Sequence, residues 1–352
     1  MTVHQKMKAA VLYARGDVRP DVVDIPQISE DEVLIKVKYC GICGSDVPRA
    51  MITGARTYPL ILGHEFCGEA VKVGDSVRTV QPGDRVVVAP LIPCGKCPYC
   101  MASDYGLCEH YNIIGTGSHG AFAEYVKAPG HHVLPIDDEL DFETAAGVEP
   151  ATIGYHGLKK AGILPGETVV IMGCGPIGQL TLQWAKIFGA ATVIAVDIFE
   201  EKLELAKALG ADRTINAKEG DVATRIRELT GGGADVVVET AGSSTTQEQS
   251  ILSARKKGRV ILVGISHSNL PLKEEAVEHL LRGEIHIQGT WNSYTAPFPG
   301  AAWKAALHFM TKGALQFKPI ISHKISVEEV GTYLKGMADR TLYYNKVLVA
   351  FG

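Results

Sequence analysis

No apolar run in this chain approaches the roughly 20 residues needed to cross a bilayer, so no helical membrane span is expected. Residues 1–13 lack a basic segment followed by an apolar stretch, so no signal peptide is expected and the cytosol is the default location. Neither sign of charge is in excess. The 35 Lys and Arg residues against 39 Asp and Glu give a net charge of −4, scattered along the chain, which argues against a nucleic-acid or anionic-membrane partner. Repeats, low-complexity tracts and Ser/Gly linkers are also missing. What is present is 46% apolar and 21% charged residues, the balance of an ordinary globular protein. A length of 352 residues is more than one hydrophobic core normally serves, so two domains are expected.

The texture of the chain changes twice. Up to about residue 154, short β-type runs (33–39, 86–89, 122–126) are broken by Gly, Pro and Asp, which suits an irregular antiparallel barrel with long loops. From residue 168, apolar strands alternate with helical stretches: strands at 168–173, 192–197, 234–239, 259–264 and 285–290, with helices at 178–188 and 201–209 among them. Buried β-branched strands separated by helices predict a parallel, doubly wound sheet. After residue 290 the alternation stops. A Pro- and aromatic-rich loop at 291–300 leads to a helix near 303–311 and a closing segment at 345–350, expected to return to the first domain.

Eight cysteines cluster unevenly, and a chain this long can bury enough surface without disulfides. In a cytosolic protein such a cluster reads first as metal-binding or catalytic. Cys94, Cys97, Cys100 and Cys108 have the spacing C-x2-C-x2-C-x7-C. Two intervening residues let successive thiolates turn back on one tetrahedral zinc, with Zn–S of about 2.3 Å. Four sulfurs leave no open position, so this site is structural. The alternatives are four free thiols or an iron–sulfur cluster, but the ferredoxin run has three residues and a Pro around its last cysteine.

Three further segments carry metal-type residues: Cys40-Gly41-Ile42-Cys43-Gly44-Ser45-Asp46, Gly63-His64-Glu65-Phe66-Cys67-Gly68 and Glu149-Pro150. A catalytic zinc needs three protein ligands and one exchangeable position, which one thiolate, one imidazole and one carboxylate supply. Cys40 and Cys67 stand beside these positions and read as buried small hydrophobes. Gly173-Cys174-Gly175-Pro176-Ile177-Gly178 is a G-x-G-x-x-G that follows an apolar run and opens a helical stretch, with Asp197 about 20 residues on. The glycines allow a tight turn and close approach of a pyrophosphate to the helix N-terminus. Asp197 can accept both ribose hydroxyls and would repel a 2′-phosphate, and Ile198-Phe199-Glu200 offers no cation in offset, so NAD is favoured over NADP. The plainer reading of Asp197, a cap at a strand end, leaves its register with the glycines unexplained.

Gly63-His64-Glu65 with Gly68, Gly74 and Val77 fits the signature G-H-E-x2-G-x5-G-x2-V, and Cys43-Gly44-Ser45-Asp46 has the matching form. On four motifs in a consistent order, the chain resembles the medium-chain zinc dehydrogenases over essentially its full length. That resemblance implies a GroES-like catalytic domain over residues 1–154 and 291–352 and a Rossmann domain over residues 155–290. It implies Cys43 and His64 as zinc ligands and Ser45 as the group that takes the substrate's proton, with Asp46 orienting His64. Glu149 matches the third-ligand position, while in some polyol relatives Glu65 binds the metal and the residue matching Glu149 acts through a water. Glu at 149 points to the polyol branch, which includes sorbitol (L-iditol), threonine and butanediol dehydrogenases. The wording around Arg49 and Trp291-Asn292-Ser293-Tyr294 looks like the galactitol-1-phosphate 5-dehydrogenases, and Asn292-Ser293 departs from the Arg-Tyr pair of sorbitol dehydrogenases. Arg49, Arg56 and Lys346 are candidates for a phosphate, and Trp291, Asn292 and Tyr294 for the walls of the substrate pocket. The implied reaction takes a secondary alcohol of a polyol or polyol phosphate to the ketone, with hydride passing to NAD across an interdomain cleft. A non-catalytic NAD-binding sensor is the remote alternative, set against the presence of all three candidate ligands. Relatives of this kind are homodimers or homotetramers, and the contact is expected near residues 285–290.

Overall fold

The computed structural model describes residues 5–266 and 268–352. The chain forms two compact units: residues up to 149 with 294–313 and 321–352, and residues 150–293 with 314–320.

In the first unit, Glu32–Gly41 buries Val33, Ile35 and Val37 completely on one face, while Lys36 and Lys38 on the other are half-buried and Leu34 is nearly covered. It is the centre of a seven-stranded sheet. Glu65–Val73 and Lys346–Ala350 lie on either side of it, both antiparallel, and Tyr125–Pro129 also pairs with it. Arg85–Val88 and Val133–Pro135 extend the sheet beyond Glu65–Val73, and Ile321–Ile325 extends it beyond Lys346–Ala350. A three-stranded sheet of Asp17–Asp24, Lys6–Ala14 and Leu60–Ile61 contributes Leu12, Leu60 and Ile61 to the same core, with Ile35, Phe66, Phe122 and Val349. The closing segment therefore does return to the first sheet. The run at 122–126 is extended but is not one strand. Phe122 bonds the carbonyl of Leu62, Ala123 bridges Ala9, and the named strand begins only at Tyr125, because the segment serves two neighbours in turn.

The register decides where this unit keeps its chemistry. Gly41 stands opposite Glu65 on one side and Leu348 on the other. Antiparallel pairing puts the end of the central strand beside the starts of both neighbours. Cys43 follows that end, His64 precedes one start, and Lys346 opens the other strand. Three segments spread over some 300 residues of sequence thus arrive at one place.

The second unit is built on six parallel strands: β1 (Thr168–Met172), β2 (Thr192–Asp197), β3 (Arg213–Asn216), β4 (Ala234–Glu239), β5 (Ala254–Leu262) and β6 (His286–Gly289). Their order is β3-β2-β1-β4-β5-β6, the doubly wound arrangement whose strand order reverses between β1 and β4. Helix α1 (Pro176–Ile187) follows β1 and α2 (Glu200–Ala208) follows β2. Val169 to Met172 and Val236 to Val238 are fully buried, as strands covered on both faces require. Helix α1 begins at Pro176, two residues before the stretch the apolar pattern marks, because proline is pre-set for the first helical position.

His132 shows how tightly the first unit is closed. It is fully buried just before Val133–Pro135, with Nδ1 2.8 Å from the Ala89 carbonyl, and burial pushes its pKa down to about 4. A histidine whose folded pKa lies below its unfolded value withdraws stability as pH falls from about 6.5 towards 4, by about 3 kcal/mol in total. Urea unfolding of the parent and of His132→Gln from pH 7 to pH 4 should show the parent losing that much more than the variant; parallel curves would refute the assignment.

Candidate functional site

At the junction of the three strand ends, one ligand atom each from Cys43, His64 and Glu65 lies within 4.8 Å of the other two. Glu65 is buried, and its Oε2 lies 2.5 Å from Nζ of Lys346, itself only 2% exposed. Lys346 Nζ also donates to the Ile42 carbonyl at 3.1 Å. The carboxylate reaches across because residue 41 is glycine, where a Cβ would overlap Oε2. Lys346 therefore does not offer a phosphate a free ammonium. Its charge is spent on Glu65, because the register of the last strand carries it into the interior.

Asp46 is fully buried and organises the first segment. Its Oδ2 accepts the Cys43 N–H at 2.9 Å, and its Oδ1 faces His64 Nδ1 at 3.6 Å. That leaves Asp46 Oδ1 and His64 Nδ1 buried without a hydrogen-bond partner, a short adjustment away from one another. An imidazole held through Nδ1 by a carboxylate presents Nε2, the arrangement that orients a metal-binding histidine. Burial would lower the His64 pKa, but the charges of Asp46 and Cys43 outweigh it and raise it well above the ordinary value. The same negative surroundings favour a divalent cation in place of the proton. Cys43, Asp46 and Glu65 can bring three negative charges, and Lys346 and Arg49 two positive ones, a net −1 that a divalent ion turns to +1. The donor set thus fits zinc with an anion-accepting face.

Ser45 is half-buried, and its hydroxyl lies 3.4 Å from the Cys43 sulfur. Arg49 donates to the Ser45 carbonyl at 3.1 Å and lies 3.7 Å from Asp46 Oδ1, so it braces the Cys43–Asp46 turn. Arg56 is exposed. Glu149 feels the charges of His64, Glu65 and Lys346, and burial pushes its pKa up to about 7, but its oxygens stand outside the Cys43–His64–Glu65 group. Of the two carboxylates weighed from sequence, Glu65 is the one brought among the ligand atoms. Cys40 and Cys67 are fully buried and lie off this group.

Cys94, Cys97, Cys100 and Cys108 also converge within 4.8 Å of one another, a span that one cation about 2.3 Å from each sulfur bridges. The loop aims backbone donors at them: the Cys94 N–H reaches the Cys108 sulfur at 3.2 Å, and the Cys100 N–H leads in drawing the Cys97 thiol down to about 6. Donors of this kind suit thiolates, and all eight cysteines of the chain are free of disulfides.

In the second unit, Gly173 to Gly178 connects β1 to α1, with Gly175 as N-cap and Pro176 and Ile177 in the first helical turn. A Cβ on Gly178 would overlap the Gly173 carbonyl, so helix and turn pack closely only with glycine there. Asp197 at the end of β2 accepts the Cys174 N–H at 2.7 Å and the N–H groups of Ile198 and Phe199 at 2.8 and 3.0 Å. It serves as a local turn residue and as a clamp on the glycine turn at once. Gln179 lies beneath, its Nε2 donating to the carbonyls of Cys174 at 3.2 Å and Lys202 at 2.8 Å. Two cations beyond the Ile198-Phe199-Glu200 segment gather on Phe199: Lys202 Nζ and Lys218 Nζ lie 5.3 and 5.1 Å from its ring centroid. Lys218 comes from beyond β3, and only the sheet order brings it there.

The substrate candidates divide between the units. Trp291 is 47% exposed and Asn292 takes a left-handed backbone conformation (φ 53°) in the second unit. Tyr294 is buried in the first, stacked on Phe298 and tilted against Trp303.

Residues 29–138 match the alcohol dehydrogenase GroES-like domain, and residues 176–312 match the zinc-binding dehydrogenase family. The chain is 37% identical over 347 residues to galactitol 1-phosphate 5-dehydrogenase of Escherichia coli (strain K12), covering 97% of this chain and 99% of that one. It is 36% identical to sorbitol dehydrogenase of Bacillus subtilis (strain 168), covering 93% and 92%. A crystal structure of a putative zinc-binding dehydrogenase from Sinorhizobium meliloti 1021, bound to NADP, superposes with a TM-score of 0.92 at 36% identity, covering 99% and 100%.

Metal analysis of the purified protein should give about two zinc ions per chain. Cys43→Ser should lose one zinc and its turnover while keeping NADH binding; parental turnover in that variant would contradict the ligand role. Cys97→Ser should lose the other zinc and unfold at lower urea. Lys346→Met, which strands Glu65 in the interior, should cost about 3–5 kcal/mol in urea unfolding of the metal-loaded protein, and an unchanged midpoint would mean that the pair contributes nothing.

Proposed function

Because the chain belongs to the zinc-dependent medium-chain alcohol dehydrogenase family, we propose that it oxidises a secondary hydroxyl of a polyol phosphate such as galactitol 1-phosphate, with NAD as hydride acceptor. The observation that carries this reading is the convergence of half-buried Cys43 with buried His64 and Glu65, together with similarity along nearly the whole chain to a galactitol 1-phosphate 5-dehydrogenase. When bound, zinc supplies Lewis acidity towards a substrate hydroxyl and the dinucleotide supplies the hydride acceptor.

The residues have separable tasks. Cys43, His64 and Glu65 hold the metal, and Glu149 stands ready as an alternative carboxylate from the same surroundings. Lys346 holds the Glu65 carboxyl in place, and Asp46 holds the imidazole. Ser45, with its hydroxyl free to rotate off the Cys43 sulfur, accepts the proton of the substrate hydroxyl and passes it towards solvent. Arg49 has guanidinium donors beyond those used on the Ser45 carbonyl, and these suit a phosphate. Trp291 and Asn292 contribute an exposed ring and a polar group to the substrate end.

Two alternatives have observations of their own. Similarity to sorbitol dehydrogenase supports an unphosphorylated polyol, with L-threonine and 2,3-butanediol as further substrates of the same chemistry. Lys202 and Lys218 beside Phe199 supply the positive charge that a 2′-phosphate would need, against the carboxylate of Asp197. As for assembly, β6 is exposed along all four of its residues and among the described residues pairs with β5 alone. An open edge of this kind supports a homodimer or homotetramer joined through it.

The test is a steady-state panel of galactitol 1-phosphate, galactitol, sorbitol, L-threonine and 2,3-butanediol, each with NAD and NADP. Galactitol 1-phosphate with NAD should give the highest kcat/KM, and Arg49→Ala should lower it by roughly tenfold or more, the scale of one charge-assisted contact. Equal rates on galactitol and its phosphate would remove the phosphate from the reading, and a preference for NADP would move the cofactor.

A further inference from the structure

Glu239 is the last residue of β4, the first strand beyond the reversal of strand order, and it is completely buried. A carboxyl group at such a depth is costly unless its oxygens are satisfied. Here the two oxygens are treated very differently. Oε1 accepts three hydrogen bonds, each at 2.8 Å, from the N–H groups of Ala241 and Gly242 and from the hydroxyl of Thr246. Oε2 has no hydrogen-bond partner. The backbone carbonyl of the same residue accepts the N–H groups of Val263 and Gly264 at 2.9 and 3.0 Å. One residue therefore holds two loop crests, 240–242 after β4 and 263–264 after β5, by four hydrogen bonds, with a fifth to Thr246 in the helix that follows the first crest.

These crests lie against the glycine turn. Thr240 donates its hydroxyl to the Gly173 carbonyl at 2.8 Å, and a Cβ on Gly173 would come 2.9 Å from the Cβ of Ala241. Oε2 looks towards residue 264, where a Cβ would stand 2.8 Å from it and would overlap the Gly242 nitrogen, so only glycine permits the crests to close over the carboxyl. In a doubly wound sheet, each half of a dinucleotide lies over the strand ends on its own side of the reversal. Asp197, on β2, belongs to the adenosine side. The crests tied by Glu239 belong to the other.

We propose that Glu239 is a positioning residue for the nicotinamide half of the cofactor: it shapes the 240–242 and 263–264 crests from below, without touching the dinucleotide. The proposal rests on the dinucleotide reading of the glycine turn. Substituting Glu239 should therefore weaken binding of the whole dinucleotide and spare a ligand that ends at the adenosine side.

The experiment compares NADH and AMP binding by calorimetry for the zinc-loaded parent, Glu239→Ala, Glu239→Gln and Thr246→Val. Glu239→Ala should raise the Kd for NADH roughly tenfold, the scale of lost hydrogen bonds, and leave that for AMP within about twofold. Glu239→Gln keeps an acceptor at Oε1 and should restore NADH binding to near the parent. Thr246→Val removes a single donor without opening a cavity, and should repeat the NADH effect at smaller amplitude even if Glu239→Ala folds poorly. Equal weakening of both ligands, or a Glu239→Gln as defective as the alanine variant, would overturn the proposal. If the parent itself bound neither ligand, the dinucleotide reading would fall and this role of Glu239 with it.

Discussion

A cluster of anions inside a protein needs a compensating charge, and in the first unit that charge is Lys346. Its ammonium is buried against Glu65, within a group that also holds Cys43, His64, Asp46 and Glu149. Burying two ions is expensive, and a bare pair would add little stability. The pair makes sense as part of a larger balance, to which a divalent cation would add positive charge. Arg49 does the same outside the turn, where it meets Asp46 and the Ser45 carbonyl.

That balance rests on strand register. The central strand ends at Gly41, and both neighbours begin there, so ligand, imidazole, carboxylate and ammonium are delivered by three backbones rather than by one flexible loop. Groups positioned by paired strands lose little freedom on binding a metal, which keeps the ligand set organised before the ion arrives. The four-cysteine loop solves a similar problem by local means, through short spacing and backbone N–H donors.

The second unit uses a different device. Parallel strands leave their carboxyl ends open on either side of a reversal, and the chemistry sits in the loops that follow. Asp197 and Gln179 brace the glycine turn from one side, and Glu239 braces two further crests from the other. The carboxylates of Asp197 and Glu239 are both occupied by backbone N–H groups. They act first as builders of loop shape, Asp197 half-buried at its strand end and Glu239 fully buried at its own.

Local spacing made much of this legible before any fold was known. The four cysteines, the G-H-E segment, the glycine turn with Asp197, and the alternation of strands and helices are each contained within a few to some thirty residues, where chain geometry alone limits the outcome. The parallel sheet, its inserted place in the chain and the return of the last strand follow from such patterns. Contacts between distant segments do not. Lys346 looks in sequence like a surface cation near the end of the chain, and only pairing of its strand with the central one shows it to be buried. Glu65 rather than Glu149 joins the ligand atoms because of where two strand ends fall, and Lys218 reaches Phe199 because β3 lies beside β2. Residue types and short spacings determined which chemistry this protein carries. Tertiary structure decided which charges meet, because electrostatic interactions depend on distance in space, and that distance is set by register and sheet order.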